Sequence, residues 1–338
     1  SFLLLPRMSP SAPRRELSMS PALANSVLQR AMPWLAPCSL IAGLLFGGPL
    51  SSLTWAVPWI FAVMTFTSGL ALRLSDLKRI VTHPFFLVIH LVILYIALPV
   101  CTWIIAGLLF DDPLIIMGFV IISLVPVGST SLIWVGIYKG NVALALAVIV
   151  IDTLIVPFFM PFMLGILAGA EISMDRVGIM TSLALMILLP TLLAIVVNSS
   201  TQGRAAKVLS PWLSLLSKIG IVFLLLINGG VASPYFHDPD WQFIGIVLFI
   251  FCLCCSGYVA TFLAGKRLFS RRGDIMAFML SGGIRNVGAG AAIAMLHFPP
   301  LTCLTVVIGM MFQQILGYNA GLIADRLLPA DTEDAADS

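Results

Sequence analysis

Between residues 32 and 324 the chain is an almost unbroken series of apolar runs, each long enough to fill the hydrocarbon core of a bilayer. The runs lie at about 32–49, 54–72, 85–109, 113–138, 142–167, 177–197, 212–233, 242–264, 275–296 and 301–324, each closed by charges or turn residues. A transmembrane helix needs about 20 such residues. Backbone N–H and C=O groups in hydrocarbon need internal partners, and a continuous apolar run obtains them as a helix. A membrane barrel would show alternating segments of about 10 residues instead. Only 10% of the residues are charged, against about 25% in soluble domains, which is too little polar surface to clothe a water-soluble particle. The expected fold class is an all-α membrane protein of ten transmembrane helices.

Charge placement orients those helices. With a cytoplasmic N-terminus, 16 Lys and Arg residues fall in inside segments and Arg176 alone falls outside, with Asp111, Asp112, Glu171, Asp175, Asp238 and Asp240. Cytoplasmic loops carry the basic excess, so both termini are expected in the cytoplasm, in a membrane of the bacterial inner type. Residues 1–27, rich in Ser, Pro and Arg, contain no apolar core with a cleavage site and read as a disordered cytoplasmic tail. The transporter body is expected over 28–325, in repeats of about 30–168 and 177–325, with an acidic tail at 326–338.

Two runs are interrupted. The fourth contains Pro126 and Gly128 followed by Ser129, Thr130 and Ser131; the ninth contains Gly282, Gly283, Gly288 and Gly290 around Arg285 and Asn286. Proline removes a helical hydrogen bond and glycine tolerates unwound backbone. At membrane depth such breaks survive only against protein or a water-filled cavity. Each lies in the fourth run of its half, and matched breaks in two halves point to a transporter's binding site. Five helices per half make the second repeat inverted. The bland alternative is a pair of glycine packing seams.

Two charges remain inside apolar runs, Asp152 and Arg285. An isolated charge at the bilayer centre costs at least ~2.5–3.5 kcal/mol, so the two are expected within salt-bridge reach. They act either as a static lock or as the lining of a translocation cavity. In the cavity reading Arg285 would bind an anion or Asp152 would exchange a proton. His90 reads as a packing histidine, and of the adjacent Gln313 and Gln314 at least one is expected to face inward. The six cysteines lie in apolar stretches without metal or disulfide spacing. No HExxH, GxSxG or paired membrane carboxylates support an enzyme, and no carbonyl-filter motif supports a channel. Nothing points to nucleic acid.

The stretches HP at 83–84, VPVGSTSLIWVGIYKGNVALALAV at 125–148 and SGGIRNVGAGAAIA at 281–294 resemble the bile acid:sodium symporter family, over about 30–325. The resemblance implies two inverted five-helix repeats forming a core domain with crossing broken helices four and nine, and a panel domain. It implies organic anions as substrates. On this basis Ser129, Thr130, Ser131, Ser281, Arg285, Asn286 and Gln314 are the expected substrate-binding residues, with Asp152 and Arg285 as the charge pair.

The sequence departs from the family where sodium is held. The Glu of its ninth-helix pattern E-x-G-x-Q-N-x-G is Ser281 here, and the Gln is Arg285; Asn286 matches. Leu132 follows Ser131 where the family has Asn, Ala145 and Ile149 replace hydroxyl ligands, and Leu94 replaces a third-helix Gln. Val127 stands where arsenite-permease relatives carry Cys. The expectation is a carrier of a small organic anion without the two sodium sites, sodium-independent or proton-coupled. The alternative keeps sodium coupling, with Asp152 as a rebuilt ligand. No cofactor is expected, and the coupling ion stays open between sodium and proton.

Overall fold

Every expected apolar run falls on a helix or on a broken pair of helices in the computed structural model, which describes residues 21–72, 84–169, 172, 174–235 and 241–329. In chain order these are α1 (Pro21–Phe46), α2 (Val57–Gly69), α3 (Pro84–Leu109), α4 (Pro113–Leu124), α5 (Ser131–Ile137) and α6 (Val142–Leu167). There follow α7 (Arg176–Ser200), α8 (Arg204–Ala232), α9 (Trp241–Leu268), α10 (Arg272–Gly283), α11 (Val287–His297) and α12 (Pro300–Leu327). Short turns at Gly48–Ser51 and Thr54–Ala56 lead into α2. Among the described residues, six helices are long and apolar enough to cross a membrane: α2 with its entry turns, α3, α6, α7, α8 and α9. The bent α12 makes a seventh. The half-helices of the two breaks are individually too short.

The helices sort into two groups. α1, α2, α7 and α8 pack chiefly on one another, while α3, α6, α9 and α12 surround the broken pairs α4–α5 and α10–α11. The groups meet where α7 touches α6 and α11, and where α8 touches α12. The seam between α1 and α8 is a glycine contact. A Cβ on Gly43 would stand 2.3 Å from the Leu226 carbonyl oxygen, and one on Gly229 2.4 Å from that of Leu40. Small residues let membrane helices approach to backbone contact.

One boundary corrects the sequence reading. The helix begins at Pro21, so residues 21–27 of the expected disordered tail are helical. Proline is preorganised for a first helical turn, and this turn is tied to α8. Asn25 donates to the Pro211 carbonyl at 3.3 Å and accepts from Lys218 and from Ser214 Oγ. Residues 1–20, His83 of the 83–84 motif and 330–338 of the expected acidic tail lie outside the described residues, and α12 itself reaches Leu327.

Among the described residues two helices contain a π turn, Ile93–Ala97 in α3 and Ala184–Leu188 in α7. Each is followed by Leu-Pro, at Pro99 and Pro190. Proline has no N–H and its ring crowds the carbonyl four residues earlier, and widening the preceding turn relieves that clash. His90 packs as expected: it is fully buried, and its ring meets Phe278 edge-on at 4.8 Å.

Candidate functional site

The site begins with backbone that two broken helices leave unpaired. α4 stops at Leu124 because Pro126 cannot continue it, and α10 stops at Gly283. The unwound segments, 125–130 and 284–286, cross and satisfy each other. Gly128 N–H donates to the Ile284 carbonyl at 2.9 Å, and Asn286 N–H donates to the Pro126 carbonyl at 2.7 Å. Val127 and Arg285 sit opposite one another in an antiparallel bridge. Gly128 permits this approach, since a Cβ there would lie 3.2 Å from the Arg285 carbonyl oxygen. Beyond the crossing the chains restart as helices, and the Asn286 side chain caps α11 by accepting from Ala289 N–H at 3.3 Å.

In such a pairing the N–H and C=O groups of the central residues point away from the partner strand. Asp152 takes one of them. Its carboxylate accepts from Val127 N–H at 2.5 Å and, through the other oxygen, from Tyr95 O–H at 2.5 Å. Both side chains are buried. Tyr95 stands on the π turn of α3, which aims its ring across the core at α6. Arg285 turns instead to the end of α4, donating to the carbonyls of Ser123 and Val125, both at 3.1 Å. A helix C-terminus carries partial negative charge and unpaired carbonyls, and the guanidinium neutralises both.

This corrects the expected ion pair. Asp152 and Arg285 form no salt bridge; Asp152 takes the Val127 N–H and the Tyr95 hydroxyl, Arg285 takes the Ser123 and Val125 carbonyls, and the two are joined through residues 123–127. The physical reason is that a break leaves strong dipoles in low dielectric, and each charge is satisfied by the nearest ones.

A cavity of about 270 Å³ opens between the crossing and the outer group, lined by Ser68, Thr65, Thr191, Thr153, Leu224 and Met310 among others. Of the expected residues, Ser129, Thr130, Arg285 and Asn286 line it. Two of the five guanidinium N–H groups are engaged by these carbonyls. Ser131 and Ser281 do not reach the cavity; both hydroxyls are buried without a hydrogen-bond partner. The Gln314 side chain lies outside the described ones, whereas its neighbour Gln313 lines the cavity. Gln313 and Arg285 also border a second void of about 30 Å³ on the far side of the crossing.

Tyr95 was not singled out from the sequence. A tyrosine four residues before a proline in an apolar helix is the only signal there was. The fold shows equally why GNVAL closes the first break. Asn141 caps α6 by accepting from Leu144 N–H and donates to Asp274 at the start of α10 at 2.8 Å. At the positions that the resemblance gives to sodium ligands, Leu94, Ala145 and Ile149 are buried and offer no side-chain oxygen. Among the described residues no group of three or more His, Cys, Asp or Glu side chains could hold a metal ion.

The Sodium Bile acid symporter family matches residues 58–237 of the chain. The chain is 38% identical to Uncharacterized protein YbaS of Bacillus subtilis (strain 168), across 87% of its own length and 97% of that protein. It is 26% identical to Uncharacterized sodium-dependent transporter YocS of the same organism, across 79% of this chain and 83% of the relative. It is also 26% identical to Probable sodium/metabolite cotransporter BASS1, chloroplastic, of Arabidopsis thaliana, across 84% of this chain and 71% of that one. The chain is thus an integral membrane transport protein, and it belongs to the Sodium Bile acid symporter family.

Proposed function

We propose that this transporter carries a small organic anion by alternating access through the cavity at the crossing, without bound sodium. One observation carries the reading: Arg285 places a permanent cation on the Ser123 and Val125 carbonyls. Unwound carbonyls at half-helix ends are where transporters coordinate their coupling cation. A guanidinium already there removes both the oxygen ligands and the electrostatic need for an ion. Arg285 also borders a cavity whose hydroxyls, at Ser129 and Thr130, suit a carboxylate.

The fold that serves this cycle is read as ten spans in two inverted five-helix repeats, with both termini cytoplasmic. The antiparallel pairing of the breaks supports it, because 126 with 286, 127 with 285 and 128 with 284 is the register that a two-fold axis through the crossing would produce. Asp152 is then the group available to carry a proton. The rival, sodium coupling through Asp152, draws support from the YocS name. It is disfavoured here because both carboxylate oxygens already accept hydrogen bonds.

The test is uptake of radiolabelled mono- and dicarboxylates by proteoliposomes in sodium, in choline, and with an imposed pH gradient. Saturable uptake in choline supports the proposal. Uptake that vanishes when sodium is removed sinks it and favours the rival.

A further inference from the structure

Along α7 and α11 the cavity ends where the two groups of helices come into contact. On α7 the cavity is lined by Ile187 and Thr191 and on α11 by Gly288, but by no residue of 176–186 or 289–297. In that stretch α7 and α11 pack directly on one another. Ile179, Leu183 and Met186 on α7, and Ile293 on α11, are fully buried in this part of the molecule. At its end His297 Nε2 and Ser182 Oγ share a hydrogen bond of 2.8 Å. Eleven helical residues put this bond about 16 Å from the crossing. Gly178 makes room for the imidazole, since a Cβ there would lie 3.1 Å from the ring. Beside it, Arg176 donates to the Gly165 carbonyl of α6 at 3.1 Å.

These two polar contacts join α7, of the outer group, to α11 and α6, of the inner one, and they lie on that side. Any movement that opened the cavity there would have to part them. We propose that His297 and Ser182 form the gate that closes the cavity on its α7–α11 side. The gate rests on the alternating-access reading above. Apolar packing closes the path to water and ions, and the hydrogen bond sets how often that packing separates. It is placed for this role because it sits at the rim, where water can replace it when the helices part.

The experiment reads the gate without a substrate. A cysteine replacing Ser129 in the cavity is labelled with a membrane-impermeant maleimide in vesicles of each orientation, with the unsubstituted chain reporting its native cysteines. From the Ser182 face, S129C should react slowly. Adding H297A or S182A should speed that reaction about five-fold, the change expected from losing one net hydrogen bond. H297Q, whose amide can still bond Ser182, should stay near the S129C rate. Two variants on opposite sides of one bond guard against misfolding of either. If both H297A and S182A react at the S129C rate from that face, the gate proposal is overturned. If S129C reacts equally from both faces without them, the α7–α11 side is not held shut and the gate proposal is overturned, while the uptake assay above judges the alternating-access reading separately.

Discussion

At the scale of single residues, the site is two charges that each complete a broken main chain. Arg285 satisfies two carbonyls, and a hydrogen bond to a charged group contributes about 1.5–3 kcal/mol. R285A is therefore expected to lower stability by ~3 kcal/mol and uptake by at least ~10-fold, measured as the denaturation midpoint in detergent and as initial uptake rate. R285K keeps the charge but not the fork that reaches both carbonyls, so it should fall between. Y95F leaves one Asp152 oxygen unpartnered and should destabilise by ~1.5–3 kcal/mol in the same assay. These two residues also mark the limit of what sequence could reveal. A lone Asp and a lone Arg in apolar runs are legible as site residues because burial makes them expensive. Which dipoles they meet depends on crossing geometry, and an ion pair was the simpler guess. Tyr95 was hidden because its hydroxyl is one of many in apolar helices, and only the π turn gives it a direction.

At the scale of elements, the breaks were legible and their mutual pairing was not. Pro126, Gly128 and the glycines around Arg285 announce unwound chain, but only contact shows that the two strands pair with each other. Gly128 is a close-approach point of that pairing. G128A would push a methyl against the Arg285 carbonyl at 3.2 Å. The strands must then separate, and overpacking of this kind costs ~1–3 kcal/mol. Lower thermal stability with a larger loss of uptake is the expected result. G43A, where the Cβ would meet backbone at 2.3 Å, should likewise destabilise the α1–α8 seam. G107A, with nothing within 4 Å, serves as the neutral control in the same melts. The first turns of α1 escaped the sequence reading because their polar residues look like tail. Asn25 has its partners, Ser214 and Lys218, on a helix nearly two hundred residues away, and no local pattern signals that.

At the scale of the whole molecule, the charge asymmetry across the apolar runs predicts that both ends of the chain face the cytoplasm. Fusing a reporter that fluoresces only in the cytoplasm to either end should give signal at both, and a dark fusion at one end would reverse that half of the topology. The fixed guanidinium also bears on the electrical balance of transport. On the proposed anion-carrier reading, with Asp152 ionised, the empty crossing carries no net charge, and a bound monoanion makes it negative. A sodium-coupled relative can load cations to offset this; a resident arginine cannot be added or removed. A membrane negative inside then pushes each bound monoanion outward by about 2.3 kcal/mol per 100 mV. Left to itself such a carrier exports, and net uptake requires either a proton travelling with the anion or a second anion leaving in exchange.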